Sequence, residues 1–236
     1  MSVLTTVRQN TRKNHATVTT VVDVGDGLRR VRFSPRESRL SWAPGQAIAT
    51  VVDPDGKTMK DRWRHYTIAD QHDDGDLDLL LTLHGSAGPG RAWLDALEPG
   101  STFTFMGPGG GPKLELGAGD YLLVGDRTSL ASMTAMANGV GTGASVTAIV
   151  ATPDPSSAVV PSEGITDMVW IEATSAESIQ EGLVAAVRER GVPSGRAYVT
   201  GEMHAMRAVR KALGDMGLGR REIGVHAHWT PAKRGM

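Results

Sequence analysis

An N-terminal small antiparallel β-barrel followed by a C-terminal doubly wound parallel sheet is the fold the sequence predicts, and three observations predict it. Up to about residue 112, short runs rich in β-branched residues alternate with Gly, Pro and Asp turns, the rhythm of a small all-β domain. Beyond about residue 113, buried-type strands alternate with helical stretches, the rhythm of a parallel sheet wrapped by helices. Between them runs Gly107-Pro108-Gly109-Gly110-Gly111-Pro112, the strongest break in the chain. The expected domains are therefore 1–112 and 113–236.

The polar, basic start as far as Asn14 carries no pattern and is expected to be disordered. Strands are expected over Thr17–Val24, Arg29–Phe33, Gln46–Val52 and Trp63–Ile68, separated by Gly25-Asp26-Gly27, Ser34-Pro35, Pro44-Gly45 and Asp53-Pro54-Asp55-Gly56. Leu77–His84 is a further strand. Gly85-Ser86-Ala87-Gly88-Pro89-Gly90 then leads into a short helix over Arg91–Leu97, stopped by Glu98-Pro99-Gly100, and Ser101–Met106 completes the barrel.

In the second domain, strands are expected at Tyr121–Val124, Ala144–Ala151, Met168–Glu172, Ala197–Thr200 and Ile223–Trp229. Helices fall at Thr128–Asn138, Ser178–Arg190 and Met203–Met216; Leu183, Val184 and Val187 share one face of the second. A sheet of this kind binds ligands beyond the carboxyl ends of its strands.

Composition narrows the function. The chain has 236 residues, with 25 basic and 26 acidic side chains, which argues against a dedicated nucleic-acid or membrane-surface binder. No apolar run approaches the ~20 residues of a membrane span, and the start lacks the apolar core of a secretory signal, so a soluble cytoplasmic protein is expected. Cysteine is absent, which removes disulfides, thiolate nucleophiles and thiolate metal sites. Redox chemistry in such a chain needs a bound organic cofactor or a histidine-held metal. His226-x-His228 is the only histidine pair able to share a strand face, with no carboxylate at ligand spacing, so no metal site is expected. No Gly-x-Ser-x-Gly elbow is present. Arg207, Arg210 and Lys211 lie on a helix and read as a solvated face.

Four stretches are candidates for binding. In Arg64-His65-Tyr66-Thr67, the two-residue period of a strand puts Arg64 and Tyr66 on one side and Thr67 on the other, presenting a cation beside a flat ring. That pair suits a ligand with an anionic group and a planar conjugated system; alone, it more often describes an ordinary strand with a rim arginine and a half-buried tyrosine. The loop Gly88-Pro89-Gly90, with Ser86 and Arg91 nearby, can set backbone N–H groups and a helix start against a phosphate, or be a simple turn. Gly125-Asp126-Arg127-Thr128 follows the first strand of the second domain and opens a helix, and Thr200-Gly201-Glu202 repeats that order after the fourth. Two such loops at one sheet edge favour a nucleotide crevice. Gly107-x-Gly109 and Gly139-x-Gly141-x-Gly143 lack the strand, loop, helix context of a phosphate loop and read as a hinge and a helix C-cap.

In this order, Arg64-His65-Tyr66-Thr67, His84-Gly85 with Gly88-Pro89, Met106-Gly107-Pro108-Gly109-Gly110, Leu123-Val124-Gly125-Asp126 and Gly201-Glu202-Met203 resemble the siderophore-interacting proteins, FAD-containing, NAD(P)H-dependent ferric-siderophore reductases of the ferredoxin-reductase-like superfamily. The resemblance spans about Val31 to Trp229. It implies that 1–112 binds FAD and 113–236 binds NADH or NADPH. It further implies that Arg64 holds the FAD pyrophosphate, that Tyr66 stacks on the isoalloxazine and that Thr67 hydrogen-bonds near the flavin N5. The loop His84, Gly85, Gly88, Pro89, Gly90, Arg91 and Ala92 would hold the diphosphate, and Gly125, Asp126, Thr128, Gly201 and Glu202 would line the nicotinamide nucleotide groove. The implied acceptor is a ferric siderophore or similar Fe(III) chelate, with the flavin rather than any side chain carrying the chemistry. A different electron acceptor or redox partner, or a redox-inactive binding module, would use the same fold.

Overall fold

The computed structural model describes residues 13–25, 27–36, 40–83, 88–141 and 143–231. The chain divides into two compact units that meet between Gly111 and Pro112.

The first unit is a closed barrel of six antiparallel strands: β1 (Lys13–Gly25), β2 (Leu28–Pro35), β3 (Ala47–Val51), β4 (Trp63–Gln71), β5 (Leu77–Thr82) and β6 (Thr102–Gly109), in the order β1-β2-β5-β4-β3-β6. Pairing of β1 with β6 closes it, from Lys13 opposite Met106 to Thr17 opposite Thr102. The two-residue period fills the interior: Leu77, Leu79 and Leu81 of β5 meet Val31 and Phe33 of β2, Ile48 of β3, Ile68 of β4 and Phe103 and Phe105 of β6. Phe33 packs edge-on against both Phe103 and Phe105, with centroids 5.2 and 5.7 Å apart. Two short helices interrupt the strands. A single turn, α1 (Met59–Arg62), absent from the sequence expectation, is closed by a capping box between Thr58 and Asp61 and delivers the chain into β4. The other, α2 (Pro89–Asp95), lies where a short helix was expected.

Three expectations are corrected here. β1 begins at Lys13, inside the stretch expected to be disordered, because Asn14 is buried and its Nδ2 donates to Gly107 O at 3.2 Å. Gly107-Pro108-Gly109, expected as linker, continues β6, with Gly109 paired to Ala47. β4 also runs past Ile68, through a bulge. Ile68 pairs with Leu79 but Asp70 pairs with Asp78, so two steps on β4 match one on β5. Side chains beyond the bulge switch faces. Asp70 shares a side with Asp78, opposite to Leu77 and Leu79 of the core. Asp78 itself is buried and held by Arg32, whose Nε lies 2.9 Å from Oδ1.

The second unit has one five-stranded parallel sheet: β7 (Tyr121–Asp126), β8 (Val146–Thr152), β9 (Asp167–Glu172), β10 (Arg196–Glu202) and β11 (Ile223–Trp229), in the order β11-β10-β7-β8-β9. Its helices are α3 (Leu130–Val140), α4 (Ala176–Arg190) and α5 (Met203–Asp215). α4 starts at a Ser175/Ser178 capping box, two residues before the expected Ser178, and ends at Arg190 as expected, with Gly191 as its C-cap. Ile179, Leu183 and Val187 of α4 and Val209 and Leu213 of α5 pack with Val124, Ile149 and Val199 in one core. Strand order places the first strand of the unit, β7, in the middle. The chain winds from it through β8 to β9, then returns to its other side with β10. That reversal makes the carboxyl ends of β7 and β10 the topological switch point of the sheet.

Candidate cofactor and nucleotide sites

Each unit carries one candidate site. In the barrel, β4 presents Arg64 and Tyr66 toward the start of α2, where Gly90 has no side chain to fill the space. A Cβ at Gly90 would lie 3.3 Å from Arg64 Nε and 3.6 Å from the Tyr66 hydroxyl. Arg64 and Tyr66 therefore do share a face, and Gly88, Pro89 and Gly90 are brought to them. Gly88 occupies the N-cap of α2 and Pro89 the first helical position, so among the described residues no side chain caps the helix start. The first helical bond runs from Ala92 N to Gly88 O at 2.9 Å. Arg91 turns to Asp95 on its own helix, with Nε 2.8 Å from Oδ2. His65 and Thr67 fall on the other side of β4, as strand alternation requires. His84 and Gly85 lie outside the described residues.

The sequence reading passed over two residues here. Trp93 stacks on Tyr66 at a centroid distance of 5.4 Å and 12° between planes, then meets Phe103 edge-on at 5.6 Å. Such a stack contributes about 0.5–1.5 kcal/mol beyond the area it buries. One face of the Tyr66 ring is thus covered by Trp93. Trp93 lies three residues after Gly90, one helical turn along, and that spacing was the available signal. Arg29 fastens the far end of α2, donating from Nη1 to Leu94 O at 2.9 Å while its Nε pairs with Asp23 at 2.7 Å. The Arg29 guanidinium holds the Asp23 carboxyl below the usual carboxylate range. Burial pushes the Tyr66 phenol well up, so the ring is neutral at any physiological pH. Burial also lowers the His65 imidazole.

In the second unit, the two glycine loops meet at the switch point, and Asp126 joins them. Its Oδ1 accepts from the amide of Thr128 at 2.8 Å and from the Thr128 hydroxyl; its Oδ2 accepts from the amide of Glu202 at 2.8 Å and the indole Nε1 of Trp229 at 2.8 Å. Asp126 is 3% exposed. Its carboxylate is therefore committed to fastening β7, β10 and β11 together. Gly201, at φ 110°, passes so close that a Cβ would lie 2.6 Å from Asp126 Oδ2. A Cβ at Gly125 would lie 2.4 Å from both Ser129 Oγ and Thr200 O. Both glycines thus let the β7 and β10 loops pack directly against each other at the switch point, where a side chain would force them apart. Glu202 is buried, accepts from Ala205 N at 2.7 Å and lies 2.9 Å from His204 Nδ1, so its own carboxylate occupies the start of α5. The start of the 3-10 turn Arg127–Ser129 in the β7 loop is capped in the same way, by Asp126 through the amide of Thr128.

His228 was read only as a possible metal partner of His226. It sits beside the Asp126 clamp, with Nδ1 3.3 Å from Thr128 Oγ1 and its ring 5.6 Å from that of His226. Burial drives its imidazole down to about 4 against the pull of Asp126, so it is neutral in the folded protein at pH 7. Among the described residues, no group of three or more histidine and carboxylate side chains gathers as a metal site.

Comparison with known proteins matches residues 15–113 to the oxidoreductase FAD-binding domain and residues 118–232 to the siderophore-interacting protein family. Among solved structures, the siderophore-interacting protein of Aeromonas hydrophila is 23% identical, with 94% of this chain and 93% of that one covered and a TM-score of 0.78. A siderophore utilization protein from T. fusca is 20% identical, with 95% of each chain covered and a TM-score of 0.77. An Amycolatopsis cytochrome P450 reductase is 23% identical over 94% of this chain and 71% of its own, with a TM-score of 0.74. No curated protein matches the chain. The chain thus joins a barrel matched as an oxidoreductase FAD-binding domain to an α/β unit that belongs to the siderophore-interacting protein family, in a ferredoxin-reductase-like two-domain fold.

Proposed function

We propose that the chain is a flavin reductase that passes electrons from NADH or NADPH through FAD to a ferric siderophore or a similar Fe(III) chelate, with residues 1–112 binding FAD and 113–236 binding the nicotinamide nucleotide. The observation that carries the reading is the cradle of Arg64, Tyr66 and Gly90 within a domain matched as FAD-binding. Its donor set fits the cofactor: a guanidinium for the pyrophosphate, an uncapped helix start beside it, and an aromatic ring with one face backed by Trp93. Bound FAD would supply the redox chemistry, accepting a hydride and releasing electrons singly.

What the chain supplies is position. Arg64 and the Gly88–Ala92 turn hold the anionic bridge, while Tyr66, fixed by Trp93, sets the plane of the ring system. Thr67, across the strand, is assigned the contact near N5 by family resemblance, and the same resemblance assigns His65, His84 and Gly85 to the cofactor. Gly125, Thr128 and Gly201 are assigned to the nucleotide crevice by family resemblance and by their place at the switch point of the sheet. Asp126 and Glu202 keep that crevice in shape through bonds to protein donors. No side-chain acid or base is required, in keeping with a neutral Tyr66 and a neutral His228.

Anaerobic mixing tests the proposal. The flavin of the purified protein is expected to bleach with a reduced nicotinamide nucleotide and to recover colour on addition of an Fe(III) chelate, with Fe(II) trapped by a ferrous-selective dye. Flavin that bleaches but is reoxidised by oxygen alone would rule out the iron acceptor. Among the described residues no helix is long and apolar enough to cross a membrane, so the assay needs no lipid.

A further inference from the structure

α5 buries Ala205, Val209 and Leu213 in the core of its unit. On another side of the helix, Arg207, Arg210, Lys211 and Gly214 stand at the i, i+3, i+4 and i+7 spacing of a single stripe. The connection from α5 to β11 runs alongside, and the two enclose an open groove of about 540 Å³. Leu218 and Ile223, both buried, give it an apolar lining, and Arg220 brings a fourth cation. Its place is the amino edge of the sheet: α5 leaves the carboxyl end of β10 and spans roughly 20 Å before the chain turns into β11 at Ile223. The switch point lies at the opposite edge.

The sequence reads Arg207, Arg210 and Lys211 as a solvated face, and Arg207 and Lys211 are exposed, but Arg210 is half-buried in the groove. One carboxylate, Asp215, reaches the groove, and Lys211 holds it at 2.6 Å. Arg207, Arg210 and Arg220 have no side-chain ion pair or hydrogen bond among the described residues. By contrast, Arg29, Arg32, Arg91, Arg190 and Arg196 each meet a carboxylate at 2.5 to 2.9 Å. Nor does the helix end need these cations, since the amides of Met216, Gly217 and Leu218 already donate to the carbonyls of Ala212, Gly214 and Leu213. Like charges at i, i+3 and i, i+4, Arg207 with Arg210 and Lys211, oppose the helix instead. Three guanidiniums thus line one concavity for reasons that neither pairing nor capping supplies.

We propose that this groove binds a small polyanion, a molecule carrying two or more phosphate or carboxylate groups. A guanidinium matches either group with two parallel N–H···O bonds, and three of them can share the charge of one such ligand. The volume falls within the range of about 300–1,000 Å³ that small-molecule sites occupy. In a chain of net charge −1, such a patch concentrates anions at one place rather than over the whole surface. No residue of the groove belongs to the flavin seat or the nucleotide crevice, so the inference stands apart from both readings.

Isothermal titration of the purified flavin-loaded chain, free of excess FAD and at about 0.15 M salt, tests it with tripolyphosphate and citrate as separate probes. At least one is expected to bind saturably at one per chain, and the tighter of the two identifies phosphate or carboxylate as the preferred group. Arg210→Glu and Arg220→Glu are each expected to weaken that binding by about tenfold or more, while Lys57→Glu, a charge reversal at an exposed barrel position, changes it by no more than about twofold. Arg220 is exposed in the 3-10 turn Arg220–Glu222, so its variant is expected to keep the unfolding midpoint of the parent. Saturating ADP-ribose, a probe of the nucleotide crevice, is expected to leave the binding unchanged. No saturable binding of either probe, binding retained by both arginine variants, an equal loss in Lys57→Glu, or displacement by ADP-ribose overturns the inference.

Discussion

The indole N–H of Trp229 and the amide of Glu202 both donate to Oδ2 of Asp126, each at 2.8 Å, so one buried carboxylate joins the carboxyl ends of β7, β10 and β11. Two more donors from Thr128 complete its shell. Asp126→Ala leaves those donors without their acceptor and is expected to destabilise the chain by about 2–4 kcal/mol, and Trp229→Phe by about 1 kcal/mol. Thermal or urea unfolding followed by Trp fluorescence checks both. An Asp126→Ala variant as stable as the parent would show that the carboxylate is not the clamp.

Gly90→Ala separates cofactor seating from folding. Alanine near the start of α2 improves helix propensity by up to about 1 kcal/mol, and the tightest contact of the new Cβ, 3.3 Å from Arg64 Nε, is with a flexible side chain, while the Tyr66 hydroxyl at 3.6 Å is in ordinary contact. Unfolding midpoints are therefore expected to hold or rise. Flavin affinity is expected to fall several-fold, because the methyl occupies the cradle and pushes Arg64 aside. Unchanged affinity would place the flavin elsewhere.

Arg64 and Asp70 lie six residues apart on β4 but face opposite ways, because the bulge after Ile68 shifts the register. Arg64→Ala is expected to weaken FAD binding at least about tenfold, the loss of a charge-assisted pair. Asp70→Arg, whose side chain departs on the far side of the strand with Asp78, is expected to change it by no more than about twofold. Fluorescence titration of the apoprotein with FAD measures both, and a large gain from Asp70→Arg would contradict the register.

The His228 imidazole has a folded pKa of about 4 against an unfolded value near 6.5, so its neutral form belongs to the folded state. The stability this contributes is complete above about pH 6.5. It is lost as pH falls toward 4, by up to about 3 kcal/mol, because the unfolded chain binds the proton first. His228→Gln is expected to flatten that part of the stability profile. An equal acid slope in parent and variant would assign the loss to other groups.

Much of this was legible in the sequence. Two-residue alternation put Arg64 and Tyr66 on one face, and the change from strand rhythm to strand and helix alternation separated the two units, since both depend only on neighbouring residues. What was illegible depends on distant ones. The bulge that turns Asp70 away exists only because β4 takes its register from β5. Asp126 reads locally as a helix cap, and it does receive Thr128, but its remaining donors arrive from positions 76 and 103 residues further along. Trp93 was missed because one aromatic in a short helix has no meaning until α2 lies against β4.

The visible absorption spectrum of the purified protein, before and after FAD is added to an apoprotein preparation, is the most direct test of the flavin seat at Arg64, Tyr66 and Gly90. A yellow protein, or an apoprotein that takes up one FAD and shifts its flavin bands as the ring meets Tyr66, is the predicted result. A colourless chain that folds normally yet takes up no FAD would contradict it.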